Sequence, residues 1–201
     1  MQKLWPEDGG DLLSYHLPDY DLRFEFHPND FTQVNPAMNQ SMVRQALAWL
    51  AVKSEDKVLD LFCGLGNFTL PLARSAKVVT GVEGSVGMVE RGYHNARLNH
   101  IKNVEFLAAD LHLPLIHYEK QAWVTGYDKV LLDPPRSGAE EFVKAIHLFQ
   151  PPRLVYVSCN PATLARDAGL LVERGYKLQK VGVLDMFPHT THVESMALFS
   201  L

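Results

Sequence analysis

The sequence predicts an α/β fold: a mostly parallel, seven-stranded sheet with helices on both faces, closed by an antiparallel hairpin. Three observations carry this. Short β-rich runs alternate with segments of helical spacing between residues 57 and 174, and that alternation builds parallel sheets with covering helices. The first such run leads directly into a glycine turn, Cys63-Gly64-Leu65-Gly66. The last two runs follow one another with no helical segment between them, which suggests an antiparallel pair.

Residues 1–30 stand apart. They combine Gly9-Gly10 and three prolines with one alternating stretch, Leu22-Arg23-Phe24-Glu25-Phe26, that reads as a strand. We expect an extension here, the edge of another domain, and a main domain over residues 31–201. Residues 36–52 carry apolar side chains at Met38, Met42, Val43, Ala46, Leu47 and Leu50, the spacing of a helix. Strands are expected at 57–62, 77–82, 104–109, 128–132 and 153–158. Helices are expected at 67–75, 85–99, 138–149 and 161–174, the last ended by Gly175. The stretch after residue 109 is irregular or helical. Residues 176–184 and 192–201 read as the closing strands, joined by a loop around Phe187-Pro188-His189. That ending resembles the Rossmann-like methyltransferase sheet more than a dinucleotide dehydrogenase.

Composition narrows the classes. The 201 residues fit one domain, and 47% hydrophobic content is enough for a full core. Two cysteines, Cys63 and Cys159, make a disulfide framework improbable and point to a reducing compartment, the cytoplasm. We expect no membrane span and no signal peptide, since no apolar run is long enough. A net charge of -4 does not suit a protein that grips a long nucleic acid by charge alone. No obligate protein partner is evident.

Val58-Leu59-Asp60-Leu61-Phe62 followed by the glycine turn has the order strand, turn, helix expected of a nucleotide cofactor site. The third glycine of the dinucleotide fingerprint is absent, because Thr69 stands there, so a cofactor without a pyrophosphate fits better. The second strand ends at Glu83, whose carboxylate could accept from both ribose hydroxyls. The third ends at Asp110, suited to an adenine amino group. Either could be a merely solvated strand end; as an ordered set with the turn they fit S-adenosylmethionine.

The fourth strand ends Asp133-Pro134-Pro135-Arg136. The prolines stiffen the loop and fix the direction of the Asp133 carboxylate. Amino-group methyltransferases often carry an aromatic residue after Asp/Asn-Pro-Pro. Arg136 stands there instead, which weakens that alternative. The fifth strand ends at Ser158-Cys159-Asn160-Pro161, putting a thiol where open α/β sheets bind ligands. Cys159 could be a small buried hydrophobe, the usual fate of a free cysteine; its position and polar neighbours favour a nucleophile. Cys63, inside the glycine turn, is expected to pack there. Glu194 opens the last strand. One thiol, one carboxylate and a methyl donor meet the needs of methylation at a pyrimidine C5: thiolate addition at C6 activates C5, and a base then removes the C5 proton. His189 and His192 lack further ligands at metal-binding spacing, and no metal is expected.

Together these stretches resemble the RNA uracil-5-methyltransferase family. The resemblance rests on Asp30-Phe31-Thr32-Gln33-Val34-Asn35-Pro36, Asp60-Leu61-Phe62-Cys63-Gly64-Leu65-Gly66-Asn67-Phe68, Asp133-Pro134-Pro135-Arg136-Ser137-Gly138, Ser158-Cys159-Asn160-Pro161 and Phe187-Pro188-His189-Thr190-Thr191-His192-Val193-Glu194. It implies a class I methyltransferase fold that uses S-adenosylmethionine, with 31–201 as the catalytic domain. It implies Cys159 as nucleophile and Glu194 as base, and donor contacts at Gln33, Phe62, Asn67, Glu83, Asp110 and Asp133. Asp110 is a departure, since relatives can carry Asn there. The wording is most like the branch acting on 23S ribosomal RNA, which makes large-subunit ribosomal RNA the expected partner; the tRNA branch is the nearest rival. Ribosomal RNA members carry an RNA-binding β-barrel and a cysteine-ligated iron–sulfur cluster. Two cysteines are too few for a cluster, so none is expected in this stretch, and a donor-binding piece inactive by itself is a third reading.

Overall fold

The structure, a computed structural model, describes residues 11–114 and 123–201. Gly9-Gly10 and much of the stretch expected to be irregular after residue 109 lie outside the described residues. The first element is a hairpin of β1 (Leu13–Leu17) and β2 (Leu22–Phe26). Then follow α1 (Pro36–Leu50), β3 (Lys57–Leu61), α2 (Thr69–Ala73), β4 (Val78–Glu83), α3 (Val86–Leu98) and β5 (Val104–Ala108). The second half runs β6 (Lys129–Leu132), α4 (Glu140–Lys144), β7 (Arg153–Ser158), α5 (Pro161–Glu173), β8 (Lys177–Leu184) and β9 (Glu194–Ser200).

The seven-stranded sheet has the order β5-β4-β3-β6-β7-β9-β8. β3 to β7 run parallel, and β9 is antiparallel to both β7 and β8. This is the fold class that the sequence predicts. Strand alternation divides the core in two. On one face Val58, Val79, Phe106, Leu131, Val157 and Met196 pack with α1, α2, α3 and the hairpin. On the other, Leu59, Val82, Leu132, Tyr156 and Phe199 pack with α4 and α5.

The hairpin belongs to the first of these layers. Leu17, Leu22 and Phe24 are buried. Asn95 of α3 and Asn99, which caps its end, accept from the backbone N–H groups of Glu25 and Arg23 at 2.8 and 2.9 Å. These contacts cross the boundary expected near residue 30.

Three elements differ in extent from the sequence expectation. β1 pairs with the strand read at 22–26 and lies in the stretch expected only as an extension; its own alternation, Leu13-Ser14-Tyr15-His16-Leu17, is the signal that could have found it. The helix expected at 67–75 is the single turn Thr69–Ala73, since the turn that opens at Gly64 runs on through Asn67 and Phe68. The helix expected at 138–149 splits into α4 and a 3-10 turn at Ile146–Leu148, a tightening that keeps Phe142, Ile146 and Phe149 all buried.

Candidate active site

Chain order along the sheet reverses between β3 and β6: the chain moves outward from β3 to β5, then returns to β6. At such a point the loops diverge, and a crevice opens at the carboxyl ends of the strands. Alternation decides which side chains enter it. Continuing the parity of Val79, Phe106, Leu131 and Val157 leads to Glu83, Asp110, Asp133 and Cys159 on the hairpin side of the sheet. Because β9 runs antiparallel, its first residue lies at this same edge. Ser158 pairs with Ser195, so Cys159 and Glu194 fall one step further along the same ladder.

All eight residues expected to bind or react, Gln33, Phe62, Asn67, Glu83, Asp110, Asp133, Cys159 and Glu194, line a single cavity of about 690 Å³. His192 also lines it; His189 does not.

On the side of β3 and β4, the Glu83 carboxylate is pinned by backbone: Gly64 N–H donates to Oε2 and Ser85 N–H to Oε1, each at 3.0 Å. Each oxygen keeps a further lone pair for a ligand. Gly64 sits at φ 55°, and an added Cβ would fill the gap toward Met88, 3.5 Å away. Phe62 holds a left-handed backbone at φ 61°, strained for a side chain of its size, between β3 and the turn.

On the chemistry side, neighbouring loops hold the thiol. Asn160 caps α5 by accepting from Ala162 N–H at 3.1 Å, and its amide donates to the Arg136 carbonyl at 3.0 Å. Ser158 Oγ donates to the Asn160 carbonyl at 3.0 Å. Arg166 donates to the Ser137 carbonyl at 2.9 Å, and buried Asp167 accepts from Ala139 N–H at 2.8 Å and from Tyr156 OH at 2.6 Å. The loop carrying Asp133 and the turn carrying Cys159 are thereby joined.

Titratable groups on this side are perturbed. Burial pushes Glu194 up to about 7. Burial, then the charges of Glu194 and Asp60, push Asp133 well above the usual carboxylate range. Burial raises the Cys159 thiol, with Glu194 and Asp133 adding to the rise and Arg136 opposing it. Beneath the turn, burial pushes Asp60 up to about 7; Thr69 Oγ1 donates to its Oδ2 at 2.6 Å, while its Oδ1 has no hydrogen-bond partner. Cys63 and Cys159 are both free thiols, and Cys63 is buried.

Two cavity residues carry roles the sequence reading did not assign. Arg136, read there only as a missing aromatic, faces the thiol electrostatically. Tyr15 reaches the cavity from the hairpin. No local motif marks it.

The family model described as tRNA (Uracil-5-)-methyltransferase matches residues 12–200. Curated relatives named 23S rRNA (uracil(1939)-C(5))-methyltransferase RlmD are 67% identical over 201 residues in Hahella chejuensis and 57% identical over 196 residues in Legionella pneumophila (strain Lens). These matches cover 99% and 97% of this chain but 45% and 44% of the relatives, so the chain spans less than half their length. The crystal structure of Pyrococcus abyssi tRNA (uracil-54, C5)-methyltransferase in complex with S-adenosyl-L-homocysteine is 33% identical with a TM-score of 0.79, covering 95% of this chain and 45% of that one.

Proposed function

The chain belongs to the tRNA (uracil-5-)-methyltransferase family, and from that premise we propose that it transfers a methyl group from S-adenosylmethionine to C5 of a uridine in 23S ribosomal RNA, through a transient bond between Cys159 and C6 of the ring. The observation that carries this reading is the pairing of a thiol and a carboxyl on adjacent strands β7 and β9, facing one cavity. The names of the relatives at 67% and 57% identity favour ribosomal RNA over tRNA.

The cavity residues suit such a donor. Five carboxyl groups, Asp30, Glu83, Asp110, Asp133 and Glu194, line it; Asp30 is paired with Arg91, and Asp133 and Glu194 are pushed toward the neutral form, which leaves Glu83 and Asp110 to face the sulfonium and ammonium charges of such a ligand. Glu83 would hold the ribose and Asp110 the adenine edge; Gln33, Phe62, Asn67 and Asp133 complete the donor contacts. When bound, the donor supplies an electrophilic methyl group. Two cysteines are too few to ligate an iron–sulfur cluster within this stretch.

Cys159 reacts as the thiolate, its proton lost to solvent. Its sulfur bonds to C6 while the C5–C6 π pair moves toward O4 as an enolate. C5 would then take the methyl group, the electrons of the broken C–S bond staying on the donor's sulfur. Glu194 removes the remaining C5 proton, the electrons reform the double bond, and the C6–S bond breaks to return the thiolate. A carboxyl near 7 is matched to that duty at neutral pH. The target uridine must leave its stack to enter the cavity.

The test is incubation of the chain with S-adenosylmethionine and unmodified 23S ribosomal RNA, with the product read by mass spectrometry. We expect 5-methyluridine from the native sequence, none from Cys159→Ala, and a protein–RNA adduct that accumulates with Glu194→Gln. An active Cys159→Ala variant overturns the covalent step. Donor binding without methylated product from the native chain supports the reading as a donor-binding piece instead.

A further inference from the structure

We propose that Tyr15, in the hairpin that precedes the α/β sheet, is a positioning residue for the methyl donor, acting through the side-chain amide of Asn67. This rests on reading the cavity as the donor site.

Asn67 leaves the glycine turn with its amide fully engaged on one side. Its Oδ1 accepts from Tyr15 OH at 2.8 Å and from Asn39 Nδ2 at 3.0 Å. Its Nδ2 donates to Asn39 Oδ1 at 2.9 Å. A primary amide has two lone pairs and two N–H groups. Both lone pairs and one N–H are used, which leaves a single N–H on a residue that lines the cavity. The amide therefore presents one donor in one direction, suited to an acceptor atom on the bound molecule.

What holds that direction lies outside the turn. Asn39 is buried on α1. Tyr15 stacks on Phe24 with ring centroids 4.8 Å apart and planes 3° from parallel. Phe24 is itself wholly buried in the core, and the hairpin is fastened to α3 through Asn95 and Asn99. Burial raises the Tyr15 phenol, so it remains a hydroxyl donor at any working pH. A continuous chain of contacts thus runs from the hairpin's core anchor through Tyr15 to Asn67. By linkage, donor binding and hairpin docking each strengthen the other.

Tyr15→Phe keeps the ring stacked and deletes only the hydroxyl. Titration calorimetry with S-adenosyl-L-homocysteine would compare the native chain, Tyr15→Phe, Asn67→Ala and the double variant. We expect Tyr15→Phe to bind about five- to tenfold more weakly, the loss of one hydrogen bond. The double variant should bind no more weakly than Asn67→Ala alone, because Tyr15 acts through that amide. Native-like affinity in Tyr15→Phe, or losses that multiply in the double variant, overturns the proposal while leaving the donor reading intact. No binding by the native chain overturns the donor reading. A second measurement needs no variant: S-adenosyl-L-homocysteine should slow amide hydrogen exchange across β1 and β2 of the native chain, and unchanged exchange there refutes the coupling.

Discussion

The two sides of the cavity use acidic side chains in opposite ways. On the side built from β3, β4 and β5, the Glu83 carboxylate is fixed by two backbone N–H groups and lines the cavity. On the side built from β6, β7 and β9, the Asp133 and Glu194 carboxyls accept no hydrogen bond from other described residues, and burial pushes both upward. The first arrangement holds a charge still. The second keeps a proton available near neutrality. One fold edge supports both because its left half is turned by glycine and its right half is locked by loop-to-loop hydrogen bonds.

The strongest way to break this contrast is Glu83→Ala. Removing a charged acceptor held by backbone should weaken S-adenosyl-L-homocysteine binding by about ten- to a hundredfold, corresponding to hydrogen bonds to a charged group. Alkylation of Cys159 by iodoacetamide should keep its native pH profile in that variant; a shifted profile would mean the two sides are not separate.

A smaller effect sharpens the chemistry side alone. Arg136 lowers the Cys159 pKa and Glu194 raises it. Arg136→Ala should therefore slow alkylation at pH 8 and Glu194→Gln should speed it, each by about two- to fivefold for a fraction of a pKa unit. Equal rates in both variants would remove the electrostatic coupling.

The smallest effect is on stability. Burial pushes the Glu194 carboxyl from its ordinary value of about 4.5 up to about 7. Between those values the folded state holds a proton that the unfolded state has lost, so this group's contribution to stability declines as pH rises from about 5 to 7. Glu194→Gln should flatten the decline and raise the melting temperature at pH 8 by on the order of a few °C. Thermal melts at pH 5 and pH 8 that show the same difference between variant and native chain would contradict the buried carboxyl.

The sheet was legible because its central strands are dense in Val and Leu and bounded by turns, as in residues 57–61 and 153–158. The convergence of Asp133, Cys159 and Glu194 was legible in part: each lies an even number of residues from a core neighbour, namely Leu131, Val157 and Met196. Strand order was needed to bring those parities to one edge. Tyr15 was not legible, because its partner Asn67 lies 52 residues away and neither residue sits in a pattern that names the other. The shortness of α2 was hidden for a related reason. The residues expected to begin the helix instead complete the glycine turn, and the Asn67 side chain is drawn toward α1 and the hairpin.

The antiparallel ladder between β7 and β9 has one more consequence. The acid reaches the thiol through strand register, and side chains on a strand change sides at every residue. Deleting a single residue within the first half of β9 would therefore swing Glu194 into the layer now filled by Ala197 and Phe199, among α4 and α5. Such a lesion would strand the Glu194 carboxyl behind the sheet and leave the half of the cavity built from β3, β4 and β5 intact.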